Sequence, residues 1–223
     1  MNVSLVKEGQ IGYFEPRIGS DESGKGDYFG PLVVAACYAD ADIAEKLLAL
    51  GVRDSKRLSD GSAIAIAERL KSFAPHAIVA IGPERYNDLH DQMRNLNRLL
   101  AWGHARAIEN LLEEVTCDRI VTDQFGDERF VARAMMERGK QVRLEQRPRA
   151  EDDLAVAAAS ILARAEFLRW LERLSVEVGI PLPKGAGPLV DETARQLIKR
   201  DGIGLLRRVA KVHFKTTQKA LTE

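Results

Sequence analysis

The sequence has few cysteines and no long apolar run. Its 223 residues include two cysteines, Cys37 and Cys117, which stand alone in apolar surroundings. Two isolated thiols form neither a disulfide framework nor a zinc cluster, so we interpret both as reduced core residues. The first residues, MNVSLVKEGQ, lack the apolar stretch of a signal peptide, and no run reaches the length that crosses a bilayer. These absences predict a cytoplasmic protein that does not enter a membrane.

The chain also lacks an excess of charge of either sign. Lys plus Arg and Asp plus Glu each total 33, and 45% of the residues are hydrophobic. The balance alone indicates no charged partner, and the composition is typical of a globular protein with a substantial core. No repeat or low-complexity tract divides the chain. We therefore predict a short lead over residues 1–16 and one domain over residues 17–223.

Hydrophobic periodicity predicts an α/β fold. Short apolar runs bounded by turn residues predict strands, and apolar residues at helical spacing predict helices. Strands that alternate with helices indicate a central mixed sheet flanked by helices. The predicted strands are 17–21, 31–39, 76–81, 119–122 and 141–145. The predicted helices are 41–50, 59–73 with Ser59 as its cap, 95–114, 128–138, 152–177 and one that begins near Asp191 after a loop at 181–188.

Two neighbouring carboxylates, Asp21 and Glu22, end the first predicted strand, and a loop with glycines at 24 and 26 follows. Carboxylates inside a sheet destabilise it unless they bind a cation or a basic partner. The glycines allow a backbone to approach a ligand closely, and Lys25 between them can meet a phosphate. Adjacent strand residues face opposite sides of a sheet, so one shared site requires a bend or bulge at 21–23. The alternative is a surface turn with solvated charges.

Two further acidic residues stand at the ends of predicted elements. Asp123 ends a strand, and Glu151 begins the segment EDDLAVAAAS. Each has an ordinary explanation, because Asp forms turns and acidic residues in a first turn favour the helix dipole. Together with Asp21 and Glu22, however, they supply carboxylates from different elements, as a site for two divalent ions requires. An all-oxygen site suits Mg²⁺ or Mn²⁺.

The segment GSDESGK at residues 19–25 also fits the phosphate-binding pattern G-x-x-x-x-G-K. The next residue is Gly26 rather than Ser or Thr, so magnesium would lack its usual hydroxyl ligand. Two carboxylates inside the phosphate cradle would also repel a nucleotide. A P-loop NTPase is therefore the weaker interpretation.

Seven segments between about residues 17 and 217 occur in the order typical of one group of enzymes. They are SDESGKGDYFGP, DSKRLSD, NLNRLLAWGHA, TDQFGD, RAEDDLAVAAASILAR, PKGAG and HFKTT. In these segments the chain resembles the type 2 ribonucleases H, and GKGDYFGP, NLN, DQF and HFKTT are similar to the ribonuclease HIII family. The resemblance implies a ribonuclease H-like fold and hydrolysis of the RNA strand of RNA/DNA hybrids. That family generally carries a further N-terminal substrate-binding domain, whereas only residues 1–16 precede the catalytic segment here.

The resemblance also implies roles for individual residues. The family's four carboxylates fall on Asp21, Glu22, Asp123 and Glu151, with Asp152 and Asp153 as neighbouring alternatives to the last. We expect Asp21 to bridge two ions, Glu22 and Asp123 to bind one of them, and Glu151 to bind the other. The products should carry 3′-hydroxyl and 5′-phosphate ends. The residues expected to bind nucleic acid are Ser23, Gly24, Lys25, Gly26, Asn95, Asn97, Ser160, Lys184, His213 and Lys215.

Some of these assignments have structural alternatives. Ser160 could read the 2′-hydroxyl that distinguishes RNA from DNA, or it could allow close helix packing. Asn95 and Asn97 could contact substrate or cap the long helix. His213 is a binding candidate because basic and hydroxyl residues follow it, and we interpret the histidines at 76, 90 and 104 as structural.

Residues 184–219 are rich in basic side chains. They hold nine basic and three acidic residues, an excess of six positive charges in a neutral chain. The excess predicts a face that follows phosphates, although a solvated helix would have a similar composition. The nine are Lys184, Arg195, Lys199, Arg200, Arg207, Arg208, Lys211, Lys215 and Lys219.

Two other functions remain open. One is incision at single ribonucleotides embedded in DNA, as in ribonuclease HII, and the other is a non-catalytic nucleic-acid-binding module. For the main function as for these alternatives, we expect a monomer without a small-molecule cofactor.

Overall fold

One mixed sheet forms the centre of the fold. The computed structural model describes residues 14–52, 58–123 and 129–222. Its strands are β1 (Arg17–Ser23), β2 (Leu32–Ala39), β3 (His76–Ile81), β4 (Arg119–Asp123) and β5 (Arg143–Arg147). They lie in the order β3-β2-β1-β4-β5. β2 is antiparallel to β1 and β3, whereas β4 is parallel to β1 and β5. The predicted mixed sheet flanked by helices is confirmed.

The described residues also form nine α-helices. They are α1 (Ala41–Ala49), α2 (Asp60–Lys71), α3 (Pro83–Met93), α4 (Leu96–Leu111), α5 (Arg129–Ala134), α6 (Leu154–Val178), α7 (Pro188–Asp201), α8 (Ile203–Val209) and α9 (Lys215–Thr222). Asp40, Ser59, Asn95 and Asp153 cap α1, α2, α4 and α6 with side-chain oxygens that accept backbone N–H groups. Within these ranges no helix is both long enough and apolar enough to cross a bilayer.

Three elements differ from the sequence predictions. α3 was not predicted, because its mostly polar sequence lacks a clear apolar face, whereas Pro83 begins a helix at its first position. The C-terminal region contains three helices, because Gly202 adopts φ 80° and ends α7. β5 lies two residues later than predicted, after a 3₁₀ turn at Gly139–Gln141. The DSK segment at 54–56 and residues 124–128, where one predicted helix begins, lie outside the described residues.

The sheet has a helix on each face near β1. The alanine-rich first half of α6 packs on one face, beside the odd-numbered residues of β2 such as Ala35. A Cβ atom added to Gly19 in β1 would lie 2.2 Å from the carbonyl carbon of Ala155, so only glycine allows this approach. α4 covers the opposite face, where Ile108 packs beside Val34. The end of β1 is therefore enclosed between two helices.

Candidate active site

β1 runs without interruption through both of its carboxylates. The register with β2 is continuous over Arg17–Ser23, so the predicted bulge is wrong: the glycines follow the strand and do not interrupt it. Asp21 faces α6, where it forms a hydrogen bond with Ser160. Glu22 faces α4, where its Oε2 lies 3.2 Å from His104 Nε2. The two carboxylates thus occupy opposite faces at one end of the sheet, as strand alternation requires.

The continuation of β4 brings Asp123 beside Asp21. Pairing between the parallel strands β1 and β4 extends to the residue just before each of these carboxylates. Asp123 Oδ1 accepts the backbone N–H of Ala150 at 3.2 Å. Ala150 begins a 3₁₀ turn that also contains Glu151, which is half-buried. Three of the predicted acidic residues therefore come from elements that converge at the end of the sheet.

The neighbours of Glu151 have other environments. Asp153 is buried, forms an ion pair with Arg17 at 2.8 Å, and caps α6 through the backbone N–H of Ala155. Asp152 is exposed. Because Asp153 pairs with Arg17 and Arg147 and also caps α6, it is a weak candidate for the fourth carboxylate.

The two carboxylates of β1 have pKa shifts of opposite sign. Burial, and secondarily the charge of Glu22, raises the pKa of Asp21 to about 6. Burial would also raise the pKa of Glu22, but the hydrogen bond and charge of His104 and the charge of Lys25 lower it below its usual value. Lys25 Nζ lies 3.6 Å from Glu22 Oε1. Of these two carboxylates, Asp21 thus has the negative charge that the protein compensates less.

This imbalance predicts that metal-free protein becomes more stable when Asp21 is made neutral. In EDTA at pH 7, Asp21→Asn should raise the free energy of unfolding by roughly 1–3 kcal/mol, because a pKa raised from 3.8 to about 6 disfavours the ionised folded state. Urea unfolding measures the difference. A variant less stable than the wild type under these conditions would contradict a buried, uncompensated carboxylate.

The difference in stability between Asp21→Asn and the wild type should depend on pH. The pKa of Asp21 is higher in the folded chain than in the unfolded chain, so the stabilising contribution of protonated Asp21 is fully present below pH 4. That contribution is lost as the pH rises through about 6. The advantage of Asp21→Asn over the wild type should therefore grow between these two pH values and stay constant above them.

The donor set fits a divalent metal ion. All four candidate side chains offer carboxylate oxygens, the ligand type that Mg²⁺ and Mn²⁺ prefer. Burial and the charge of Glu22 raise the pKa of Asp21, and a bound cation would offset both effects. Among the described residues, no three His, Cys, Asp or Glu side chains are already arranged to hold an ion. Glu22 Oε2 contacts His104 and Asp123 Oδ1 accepts the Ala150 N–H, so an ion would bind these two carboxylates through their other oxygens.

The loop after β1 depends on one of its two predicted glycines. Gly24 is buried with φ +86°, and an added Cβ would lie 2.2 Å from the Pro31 carbonyl oxygen. Gly26 is exposed, and an added Cβ would meet nothing within 4 Å. Gly24 therefore shapes the loop, whereas Gly26 leaves its backbone open to a ligand. Ser23, half-buried, ends β1 directly before this loop.

A second glycine-rich segment lies against the first. The Gly185 N–H donates to Asp27 Oδ1 at 2.6 Å, and the Tyr28 N–H donates to the Gly185 carbonyl at 2.8 Å. The predicted binding residue Lys184 therefore lies next to the loop that contains Lys25. Lys184 also forms an ion pair with Asp60 at the start of α2.

The structure favours one alternative for two residues that the sequence left open. The side chain of Asn95 accepts the Arg98 N–H at 3.2 Å and caps α4, and Asn97 is half-buried in the first turn of that helix. Ser160 is half-buried on α6, with its hydroxyl on Asp21. Asn95 is therefore a helix cap, and Ser160 belongs to the carboxylate site rather than to helix packing alone.

His213 belongs to a stack of aromatic rings. Its ring centroid lies 4.1 Å from that of His90 and 5.6 Å from that of Tyr86. Burial, followed by the charges of His90 and Lys211, lowers the pKa of His213 to about 4. A histidine with this pKa is neutral at pH 7, so His213 would meet nucleic acid as an aromatic ring and not as a cation. Lys215 is exposed at the start of α9.

The predicted basic face is wrong as a continuous surface. Lys211 is fully buried, and its Nζ donates to the carbonyls of Asp27 at 2.8 Å and Gly30 at 2.7 Å. Burial lowers the pKa of Lys211 to about 7, although the charge of Asp27 opposes the shift. Most of the others pair with acidic residues, many of them from distant segments. These pairs are Lys184–Asp60, Arg195–Glu192, Arg200–Asp201, Arg207–Asp88, Arg207–Asp91, Arg208–Glu177 and Lys219–Asp191.

The sequence interpretation missed the role of His104. This residue is fully buried on α4, with Nδ1 2.9 Å from Ser20 Oγ and Nε2 3.2 Å from Glu22 Oε2. It was interpreted as structural, but it contacts a candidate catalytic carboxylate. The signal was its place on the apolar face of α4, because a buried imidazole needs polar partners.

The local topology excludes the P-loop interpretation. Residues 19–23, which would form the phosphate loop, belong to strand β1. The segment after them leads into the antiparallel strand β2, whereas a P-loop leads into a helix. The G-x-x-x-x-G-K pattern is therefore a coincidence of composition.

Comparisons with known proteins identify the group to which this site belongs. The family profile of ribonuclease HII matches residues 18–217. The chain therefore belongs to the ribonuclease HII family, and it is a ribonuclease H, a hydrolase.

Among members of this family, the chain is similar to ribonucleases HIII. It is 49% identical over 201 residues to the ribonuclease HIII of Protochlamydia amoebophila, with 90% of this chain and 67% of that protein covered. The ribonuclease HIII of Chlamydia pneumoniae is 43% identical, with 90% and 68% covered. The crystal structure of Bst-RNase HIII in complex with Mn²⁺ superposes with a TM-score of 0.87 at 39% identity, covering 93% of this chain and 69% of that one. The chain thus spans about two thirds of these relatives.

Proposed function

We propose that this enzyme hydrolyses the RNA strand of RNA/DNA hybrids at a site for two divalent ions. The observation that carries the proposal is that Asp21 and Asp123 lie at the ends of neighbouring parallel strands, with Glu22 next to Asp21 and Glu151 in the turn that bonds Asp123, beside two glycine-rich loops. The similarity to ribonucleases HIII, one of them in complex with Mn²⁺, supports the substrate and the metal. We also propose that residues 17–223 form the catalytic unit.

The positions of the four carboxylates indicate different roles in binding the two ions. Asp21 lies between Glu22 on its own strand and Asp123 on the neighbouring strand, so it is best placed to be shared between two ions. Glu151 approaches from the 3₁₀ turn beside Asp123. Ions held by these residues would lower the pKa of the attacking water and stabilise the leaving oxygen. Ser160 holds Asp21 by a hydrogen bond and keeps its carboxylate oriented.

The bond that breaks determines the products. Water attacks phosphorus, a new P–O bond forms to the water oxygen, and the bond from phosphorus to the 3′ oxygen breaks. The 3′ oxygen takes up a proton, so the products carry 3′-hydroxyl and 5′-phosphate ends. The open backbone of Gly26 and the ammonium group of Lys25 lie next to the carboxylates, where they can hold the RNA backbone at the cut.

Cleavage of an end-labelled hybrid tests the proposal. Mg²⁺ or Mn²⁺ should permit cuts at several positions in the RNA strand, and EDTA should stop them. Matched DNA/DNA and RNA/RNA duplexes should stay intact. A duplex with one embedded ribonucleotide tests the alternative, since cutting of that substrate alone would assign ribonuclease HII-like incision. Folded enzyme that cuts neither substrate would overturn the proposal and favour a binding module.

The salt dependence of binding tests the role of Lys25. With Ca²⁺ in place of Mg²⁺ to limit cleavage, Lys25→Gln should weaken hybrid binding and reduce the slope of log K against log salt by about 1, because one phosphate contact is lost. Lys46→Gln, in the last turn of α1, is the matched control and should leave the slope unchanged. Fluorescence anisotropy measures both, and equal slopes for the two variants would remove Lys25 from the interface.

A further inference from the structure

The imidazole of His104 connects the candidate site to α4. His104 is fully buried on α4, and its Nε2 lies 3.2 Å from Glu22 Oε2. Its Nδ1 lies 2.9 Å from the hydroxyl of Ser20, with the Thr122 hydroxyl farther away at 3.4 Å. Ser20 and Thr122 are fully buried as well, and they pair across β1 and β4. The ring is therefore held by the same two strands that carry Asp21 and Asp123.

The chemistry of Glu22 defines the role of Nε2. An ionised carboxylate can only accept hydrogen bonds, so Nε2 of His104 carries a hydrogen and donates it to Glu22. Nδ1 forms the other hydrogen bond of the ring, with the hydroxyl of Ser20. Ser20 thereby orients the ring so that Nε2 meets the carboxylate.

The surroundings of His104 argue against a role in packing alone. The same face of α4 is apolar before and after it, with Leu100, Ala101, Ala107 and Ile108 all buried. An apolar side chain would suit this environment without the desolvation of an imidazole. The side chain of Glu22 is only 12% exposed, so its orientation depends on the groups packed around it. His104 engages Oε2, while Lys25 approaches Oε1.

We propose that His104 is a positioning residue for Glu22. It holds Oε2 on the α4 side of the sheet end and leaves Oε1 directed towards Lys25 and the loop that follows β1. This inference rests on the proposed function, because it assigns Glu22 to the metal-binding carboxylates. Outer partners of metal ligands typically contribute 10- to 100-fold to metal affinity or activity.

The test compares two substitutions that differ in a hydrogen-bond donor. His104→Leu fills the space without a donor, whereas His104→Gln provides an amide N–H near the position of Nε2. Calorimetric titration with Mn²⁺ alone should show a 10- to 100-fold weaker affinity for His104→Leu and a change of no more than about threefold for His104→Gln. In hybrid cleavage, kcat should fall in the same order, while KM for the hybrid should change by less than about threefold.

Two further variants separate positioning from stability. Ile108→Ala removes a buried side chain one turn along α4 and should lower the melting temperature without altering Mn²⁺ affinity. Ser20→Ala keeps the imidazole but removes the hydroxyl that forms a hydrogen bond with Nδ1, and it should weaken Mn²⁺ binding by roughly 3- to 10-fold. If His104→Leu does not fold, His104→Gln and Ser20→Ala carry the comparison.

Wild-type Mn²⁺ affinity retained in His104→Leu, or a defect in His104→Gln as large as that in His104→Leu, would overturn the positioning role alone. Wild-type enzyme that neither binds Mn²⁺ nor cuts the hybrid would overturn the proposed function, and the positioning role with it.

Discussion

Asp21→Asn should reduce cleavage of an RNA/DNA hybrid by about 10³-fold or more, the scale typical of removing a residue central to catalysis. The substitution removes the charge of the carboxylate best placed to be shared between two ions. Because the same substitution should stabilise the metal-free protein, loss of activity cannot be attributed to unfolding. Single-turnover cleavage with Mg²⁺, at enzyme concentrations above that of the substrate, measures the chemical step directly.

Asp42→Asn provides the matched control for Asp21→Asn. Asp42 is exposed in the first turn of α1, so its substitution makes the same change of side chain and charge in a solvated setting. Its cleavage rate should stay within about twofold of the wild type, as expected for a surface substitution. An Asp21→Asn variant that keeps a tenth of the wild-type rate would place the shared carboxylate elsewhere.

Gly19→Ala should destabilise the folded chain by about 3 kcal/mol or more. The added methyl group would lie 2.2 Å from both the carbonyl carbon of Ala155 and the backbone nitrogen of Val156, and neither atom can move unless the first turn of α6 shifts. In a chain of this size, such a loss lowers the melting temperature by roughly 6–12 °C. Denaturant unfolding and a thermal melt measure the effect.

Gly61→Ala is the control for Gly19→Ala. Gly61 lies in the first turn of α2, and an added Cβ would meet nothing within 4 Å. The same methyl group should therefore stabilise the chain by up to about 1 kcal/mol through helix propensity. Equal changes in the free energy of unfolding for the two substitutions would mean that α6 does not pack against β1 as closely as the structure indicates.

The sheet and the helices with clear local signals could be predicted from the sequence. The apolar run of β2 and the cap of α2 at Ser59 are such signals, because they depend on a few consecutive residues. α3 has no clear local signal, because its residues are mostly polar and Pro83 is compatible with both the end of a strand and the start of a helix. The carboxylates were identified at element ends, but their grouping required the parallel register of β1 and β4.

The errors concern contacts between distant segments. The charges within residues 184–219 can be counted from the sequence. The count does not reveal that Asp60, Asp88 and Glu177, which lie outside this segment, pair with basic residues in it. The same limit hid His104, since nothing near it in sequence indicates that Glu22 is its partner. The predicted bulge in β1 failed because the two carboxylates do not need to share a face when the site lies at the open end of the sheet.

The buried lysine has a consequence for the order in which the enzyme assembles. Lys211 joins carbonyls of the loop after β1 to a segment 181 residues later, and backbone hydrogen bonds from Gly30 to Val209 and from Lys211 to Tyr28 close the same junction. Contacts between such distant residues form late, because the intervening chain must first become compact. During synthesis, β1 and β4, which carry Asp21 and Asp123, are made before Val209 and Lys211, which form hydrogen bonds with the loop. A chain that stops before Val209 therefore lacks these hydrogen bonds to the loop after β1, even when both carboxylate strands are complete.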